Sequence, residues 1–198
     1  METLEFKKIT RSVEDNPFEC GVASINEYVK NSYYQLLIQH AYTFSIMREK
    51  TVVGYYQVIF RDIELDKFPE DISDYSSSDI KGNKITAVHI RYIAIDKQYQ
   101  KHKIGTAVLN VIIKKCLKLS EEWPIRVITI DALNNLVDWY SKAGFKKMQR
   151  NTGGQDNVTT AMYFDCMIHS KELEEYNDDC CFLNWGGEKN GQSTDRDA

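Results

Sequence analysis

The chain has 198 residues, of which 42% are apolar and 27% charged, a composition that suits one globular domain with a substantial core. The formal net charge is −4, and the segment 170–198 holds eight acids and three bases, so this tail carries −5 and leaves +1 for residues 1–169. A nearly neutral body argues against a strongly basic nucleic-acid-binding surface. No stretch approaches the roughly 20 apolar residues of a membrane-spanning helix.

The cysteines are odd in number and scattered, which fits neither a zinc site nor a secreted disulfide framework. The N-terminus lacks the apolar segment of a signal peptide. We therefore expect a cytoplasmic protein with free thiols, no metal and no membrane partner. The acidic segment 170–198 is predicted to be a poorly ordered tail that follows a domain at 1–169. The five cysteines are Cys20, Cys116, Cys166, Cys180 and Cys181.

Hydrophobic periodicity predicts ten elements in the order β-α-β-β-β-α-β-α-β-β. Strands alternate with helices in the second half, whereas a hairpin precedes them, so we expect an α/β fold with a mixed sheet. A long polar loop is predicted at 66–83 and a tight turn at 150–157. The predicted strands are 4–9, 42–48, 52–63, 85–96, 125–130, 145–148 and 159–168, and the predicted helices are 24–39, 104–119 and 134–142.

The junction between the strand at 85–96 and the following helix carries the strongest chemical signal. A helix N-terminus presents backbone N–H groups and a positive dipole end, which suits a phosphate or pyrophosphate. Gly105 lets a ligand approach the backbone, and Lys101 and Lys103 add positive charge nearby. Taken alone, the same residues also fit an ordinary helix start beside a basic loop.

The spacing from Gln100 through Lys103 to Gly105 resembles the acetyl-CoA signature of the GNAT acetyltransferases, in which Gln or Arg, two residues, Gly, one residue and Gly or Ala follow a strand. Lys103 replaces the first glycine of that signature. The resemblance implies a GNAT fold, with flanking helices and a central mixed sheet splayed between strands 4 and 5, and acetyl-CoA as cofactor. It assigns cofactor contacts to Ile93, Ala94, Ile95, Gln100, Lys101, His102, Lys103, Ile104, Gly105, Thr106 and Asn134.

A second segment, Trp139-Tyr140 followed by Gly144-Phe145, resembles the late motif of the same family. The resemblance implies that Tyr140 is the general acid that protonates the departing thiolate. The alternative is a tyrosine that only packs at a helix end. For Asn134 or Asn135, capping the helix is an alternative to a cofactor contact.

A general base is harder to assign from the sequence. Strict alternation along the strand 85–96 predicts that His89 shares a face with Ile93 and Ile95. His89 is therefore the candidate catalytic base, and Asp62 and Glu64, at the end of the third predicted strand, are further candidates. For each of them a structural or solvated role is the alternative, and many acetyl transfers need no base beyond water.

The N-terminal third, from Phe18-Glu19-Cys20-Gly21-Val22 to Val53-Gly54-Tyr55-Tyr56, resembles the GNAT branch that includes tRNA-acetylating toxins. We therefore expect an N-acetyltransferase that moves acetyl from acetyl-CoA to a primary amine, small or macromolecular, by direct attack. The branch implies aminoacyl-tRNA as acceptor and an antitoxin as partner. A degenerate, non-catalytic member that binds acyl-CoA or a protein is the other alternative. The chain is expected to be a monomer or a homodimer.

Overall fold

In the computed structural model of the chain, residues 4–69, 84–149 and 158–167 are described below. Nearly all of them belong to a compact unit, Met1–Cys166, and Met167–Ala198 form a second unit. The predicted turn at 150–157, most of the predicted loop at 66–83 and the acidic tail lie outside the described residues. Within the described part of the chain, no helix has the length and apolar character needed to cross a membrane.

The predicted elements are present with their ends shifted by a few residues, except that two helices replace the predicted helix at 24–39. Short 3-10 turns occur at Leu65–Lys67, Lys97–Tyr99 and Asn134–Leu136. The strands are β1 (Leu4–Lys8), β2 (Tyr42–Arg48), β3 (Thr51–Glu64), β4 (Lys84–Ile95), β5 (Val127–Leu133), β6 (Lys146–Lys147) and β7 (Thr159–Asp165), and the helices are α1 (Ala23–Lys30), α2 (Ser32–Leu37), α3 (Ile104–Ser120) and α4 (Val137–Lys142).

The strands form one sheet in the order β1-β2-β3-β4-β5-β7-β6. All neighbouring pairs are antiparallel except β4 and β5, which are parallel. The parallel pair requires a crossover, and α3 supplies it. The predicted α/β class with a mixed sheet is confirmed.

The predicted single helix at 24–39 is wrong, because the chain forms two short helices that meet at Asn31. This residue has φ −80° and ψ 1°, outside the helical range. Its side-chain amide donates to the carbonyl of Glu27 at 3.1 Å and to Glu27 Oε1 at 2.9 Å. Asparagine side chains compete for backbone partners in this way and so interrupt helices.

Helices cover both faces of the sheet at β4. On the α3 face, Val108, Leu109 and Ile112 are at most 2% exposed and pack in one cluster with Ile90 and Ile128. Burying each such aliphatic side chain stabilises the fold by about 1.5–3 kcal/mol. Hydrophobic burial along this stripe therefore holds α3 against β4 and β5.

The α1 face is built from a separate cluster. Val29 of α1 is 2% exposed and packs with Tyr55 of β3 and with Tyr92 and Ala94 of β4. Both faces of β4 thus pack against apolar clusters, which accounts for its high content of apolar residues.

A β-bulge in β4 changes which residues share a face. Gln57 pairs with Tyr92 and Val58 pairs with Ile90, so Arg91 has no partner residue in β3. A bulged residue shifts the alternation of the side chains that follow it.

The prediction that His89 shares a face with Ile93 and Ile95 is therefore wrong. Ile93 and Ile95 pack against the cluster on the α3 face. His89 lies on the α1 face, beside Tyr28 and Arg91.

The parallel pairing of β4 with β5 is short. It runs from Ala87↔Val127 to Ile90↔Ile130 and stops there. Beyond this point β4 continues beside β3 as far as Ile95, while β5 continues beside β7 as far as Leu133. The two central strands therefore part and leave a fork in the sheet, as the predicted splay between strands 4 and 5 requires.

Gly54 provides a test of how tightly β3 and β4 pack beside this fork. A Cβ added to Gly54 would lie 2.5 Å from the carbonyl oxygen of Ala94 and 3.0 Å from Ile95 Cδ1. We expect Gly54→Ala to lower the free energy of unfolding by about 1–3 kcal/mol, the usual cost of overpacking. Urea denaturation followed by circular dichroism measures the change.

Gly105→Ala is the matched control, because its added Cβ would meet only the Trp139 ring, at 3.7 Å. That distance is an ordinary van der Waals contact, and alanine has the higher helix propensity, so the stability of this variant should equal or slightly exceed that of the wild type. Equal stability of the Gly54→Ala variant and the wild type would contradict the close packing of β3 on β4.

Candidate active site

A cleft of about 470 Å³ lies at the C-terminal end of β4. It is bounded by the fork, by the loop that leads into α3 and by α4. Side chains from the N-terminal third, Cys20, Val22 and Ile25, close it on another side. The cleft brings together ten of the residues predicted from the sequence, namely Ile93, Ala94, Ile95, Gln100, Lys101, Lys103, Ile104, Gly105, Thr106 and Tyr140.

The backbone of β4 presents hydrogen-bonding groups to this cleft. The N–H of Asp96 donates to the carbonyl of Val53 in β3 at 3.0 Å. The direction of the backbone N–H and C=O groups alternates along an antiparallel strand. Those of Ala94 therefore also point toward β3, whereas those of Ile93 and Ile95 point away from β3. They point into the fork, where β5 no longer pairs with β4.

Gln100 holds the loop that follows β4. Its side-chain amide donates to the carbonyl of Ile95 at 3.0 Å and to the carbonyl of Cys20 at 2.8 Å. The side chain thus anchors the loop to the strand end and to the N-terminal third. Of the groups that face the fork, the N–H and C=O of Ile93 and the N–H of Ile95 are left without a neighbouring strand.

Asp96 fixes the start of the same loop. Its carboxylate accepts from the N–H of Gln98 at 3.0 Å and from the N–H of Glu19 at 3.1 Å. The N–H of Lys97 in turn donates to the carbonyl of Glu19 at 2.9 Å. These bonds attach the N-terminal third to the cleft through the backbone, a connection that the sequence pattern alone did not reveal.

Two lysines in the loop adopt a backbone conformation that favours glycine. Lys101 has φ 65° and Lys103 has φ 60°. Lys103 immediately precedes α3, and no side chain caps that helix. The first N–H groups of α3 have no acceptor within the helix, and they lie beside Gly105 at the wall of the cleft. This arrangement can hold an anion.

Tyr140 lies in α4, is 5% exposed and lines the cleft. Its ring contacts Trp139 and Phe145 edge-on, with centroid distances of 4.6 Å and 5.6 Å. Burial raises the pKa of the Tyr140 phenol above its usual value, so the hydroxyl stays protonated at physiological pH. The indole N–H of Trp139 donates to Thr106 Oγ1 at 3.3 Å, which ties α4 to the start of α3.

His89 does not line this cleft. It is 7% exposed, its Nδ1 lies 3.1 Å from Thr129 Oγ1, and its Nε2 lies 3.8 Å from Asp131 Oδ2. Burial and the nearby Arg61 lower the pKa of His89 to about 4, so the ring is neutral at physiological pH. Its role as a general base stays a prediction.

Two other predicted contacts also lie away from the cleft. Asn134 Oδ1 accepts from Thr160 Oγ1 at 2.8 Å, so this side chain is used to join β7. Asn135, the alternative considered from the sequence, lines the cleft instead. His102 is exposed and lies outside the cleft lining. No side-chain hydrogen bond caps α4.

Comparison with known proteins agrees with this geometry. Residues 76–164 match the family model of the acetyltransferase (GNAT) domain. No curated protein matches the chain.

Among solved structures, a bacterial toxin is 13% identical with a TM-score of 0.69, over 88% of this chain and 97% of that one. AtaT complexed with acetyl-methionyl-tRNAfMet is 19% identical with a TM-score of 0.67, over 88% and 99%. A tyrosine-to-phenylalanine mutant of KacT is 18% identical with a TM-score of 0.68, over 89% and 99%. At these identities the likeness shows the fold.

The backbone of Lys103 gives a testable consequence. A left-handed conformation costs a residue with a side chain about 1–2 kcal/mol. Glycine avoids this cost, but its larger conformational entropy stabilises the unfolded state and offsets part of the benefit. We expect Lys103→Gly to raise the free energy of unfolding by about 0.5–1 kcal/mol, measured by urea denaturation. Lys114→Gly, in the middle of α3, should instead lower it by about 1 kcal/mol. A loss of stability in Lys103→Gly would contradict the strain assigned to this position.

Proposed function

Because residues 76–164 match the family model of the acetyltransferase (GNAT) domain, we propose that this chain transfers an acetyl group from acetyl-CoA to a primary amine. One observation supports this proposal above the others. The unpaired backbone edge of Ile93 and Ile95 leads directly to the uncapped start of α3, and Tyr140 lies in the same cleft. A long ligand with a peptide-like arm and a pyrophosphate fits these features in this order.

The chain's residues suit the two halves of coenzyme A. The N–H and C=O of Ile93 and the N–H of Ile95 would hold the amide-bearing pantetheine arm as an added strand. The N–H groups at the start of α3, together with Lys101 and Lys103, would hold the pyrophosphate. Gly105 leaves room for close approach to these N–H groups. Bound acetyl-CoA supplies an acetyl group activated as a thioester.

Tyr140 is the proposed general acid. Amide formation breaks the C–S bond of the thioester, and the phenol holds a proton that the departing sulfur can take up. The raised pKa keeps this proton in place before reaction. A structure of KacT, and a structure of AtaT that holds acetyl-CoA, each carry a tyrosine-to-phenylalanine substitution. A tyrosine was therefore also chosen for substitution in those two proteins. In this proposal the free amine attacks the thioester carbonyl directly, so that a C–N bond forms as the C–S bond breaks. The proton that the amine nitrogen loses restores the Tyr140 phenol through solvent, which balances the step.

A non-catalytic role is the alternative raised by Lys103. The lysine takes the φ of 60° that a glycine in the signature would adopt easily, so the loop keeps its form despite the substitution. This conformation supports cofactor binding, which a non-catalytic acyl-CoA binder would share, so turnover separates the two alternatives.

We expect Tyr140→Phe to lower the rate of thiol release from acetyl-CoA by about 10²-fold or more, because a general acid contributes that much. Calorimetry should show CoA affinity within about twofold of the wild type, since the ring and its packing remain. Tyr34→Phe, at a site 66% exposed, is the matched control and should keep full activity.

Unchanged turnover in Tyr140→Phe would remove its assigned role. CoA binding by the wild type without thiol release over a panel of amines, aminoacyl-tRNA included, would favour the non-catalytic alternative.

Aminoacyl-tRNA is a second candidate for the acceptor. AtaT was solved with acetyl-methionyl-tRNAfMet and, as a mutant, with the C-terminus of the antitoxin AtaR, and the N-terminal third of the present chain resembles that branch. An antitoxin partner for this chain belongs to the same proposal.

This candidate predicts thiol release with methionyl-tRNA and none with the same tRNA acetylated beforehand on its amino group. It also predicts that tRNA binding weakens strongly with added salt, because phosphate contacts release counterions. Affinity that is flat across salt would contradict it.

A further inference from the structure

A second cleft, of about 340 Å³, opens on the α1 face of the sheet. Its position relative to the fork is defined by the strand register. Arg91 and Asp131 are the first residues beyond Ile90↔Ile130, the last pair that joins β4 to β5. Both side chains line the cleft. The cleft therefore begins where the two strands part.

The cationic side chains of this cleft are held in place but not neutralised. Arg91 Nη1 donates to Gln35 Oε1 at 2.9 Å, and its guanidinium lies 5.3 Å from the ring centre of Tyr28. Arg61 Nη2 donates to Thr129 Oγ1 at 3.4 Å. Across the residues that the structure describes, neither guanidinium has a carboxylate within 4.0 Å, and the buried Nε of Arg61 has no hydrogen-bond partner.

Asp131 is the one acid among the side chains that line the cleft. Its side chain is 50% exposed, and its carboxylate lies 3.8 Å from the neutral ring of His89. The cleft thus has two fixed positive charges and one negative charge beside the fork. A ligand with a single positive charge would leave the arginines uncompensated, whereas one that also carries an anion would pair with both signs.

Guanidinium groups bind phosphate through paired N–H donors, and a carboxylate pairs with an ammonium. We propose that this cleft binds the acceptor and that the acceptor is a primary amine in a molecule that also carries a phosphate. Asp131 pairs with the ammonium, and Arg61 and Arg91 pair with the phosphate. This inference rests on the proposed acetyl transfer, because the cleft is assigned to the acceptor only if the fork holds the thioester.

The test compares amines that differ only in a phosphate. O-phosphoethanolamine is matched with ethanolamine, and puromycin 5′-monophosphate is matched with puromycin, which presents a free aminoacyl group on a nucleoside. Binding is measured by calorimetry to the full chain saturated with CoA, so that no turnover occurs. We expect the phosphorylated member to bind at least about tenfold more tightly in one pair or both. A preference in the ethanolamine pair indicates a small phosphoamine as acceptor, and a preference in the puromycin pair indicates the end of a nucleotide chain.

The variants then assign the preference to the cleft. Arg61→Gln and Arg91→Gln should each lower the affinity ratio of the phosphorylated to the unphosphorylated probe to a value between about 1 and 2. Arg61→Lys should keep part of the phosphate preference. Asp131→Asn should weaken both members of a pair alike and keep the ratio. Arg11→Gln removes an exposed guanidinium outside the cleft and should change nothing. Thermal melts of each variant confirm that it is folded.

Equal affinity within both pairs would overturn the inference. So would a phosphate preference that the arginine variants leave intact, or the absence of binding by all four probes at about 10 mM. The proposed acetyl transfer fails separately, through missing thiol release with every amine and with aminoacyl-tRNA. A chain that releases thiol but shows no phosphate preference contradicts this inference alone.

Discussion

The parting of β4 and β5 after Ile90↔Ile130 is the constraint on which the rest of the structure depends. It leaves backbone N–H and C=O groups at the edge of a central strand without a neighbouring strand, and such groups are costly when they are withdrawn from water. The fold keeps the gap open because each strand has another partner. β3 holds β4 as far as the Asp96–Val53 bond, and β7 holds β5 as far as Leu133.

The free edge of β4 leads into the loop and the helix start that line the cleft. The loop after β4 is fixed by Gln100 and Asp96, and it enters α3 through Lys103 with φ 60°. The uncapped helix start and the free strand edge are thereby brought to one cleft. Tyr140 is packed in the core and lines the same cleft, and the hydrogen bond from Trp139 to Thr106 joins α4 to the start of α3. A strand edge, an uncapped helix start and a protonated phenol are thus arranged around one cavity.

The sequence patterns predicted the order of strands and helices, the helix-start loop and the position of Tyr140, because periodicity and short motifs are local. The predictions were wrong where a single residue interrupts the periodic pattern of a helix or a strand. Asn31 breaks a helix whose apolar spacing continues through it, and Arg91 shifts the alternation of β4 so that His89 leaves the face of Ile93. A bulge is defined by pairing with another strand, so one strand's sequence does not reveal it.

Other parts of the site depend on contacts distant in sequence. The role of Asp131 depends on its position beside Arg91, because these two are the first residues beyond the last β4–β5 pair and both line the second cleft. In the same way, Cys20 joins the cleft through its carbonyl, which accepts a hydrogen bond from Gln100. Backbone groups carry no sequence signature, so the attachment of the N-terminal third could not be read from residue types.

Amide hydrogen exchange, followed by NMR with and without CoA, tests the central claim most directly. The N–H groups of Ile93 and Ile95 face the fork, so they should exchange quickly in the free chain and at least about tenfold more slowly when CoA is bound, whereas the N–H of Ala94, bonded to β3, should exchange slowly in both. If Ile93 and Ile95 are already as protected as Ala94 in the free chain, or if saturating CoA leaves their exchange unchanged, no ligand pairs with this edge of the sheet and the account is contradicted.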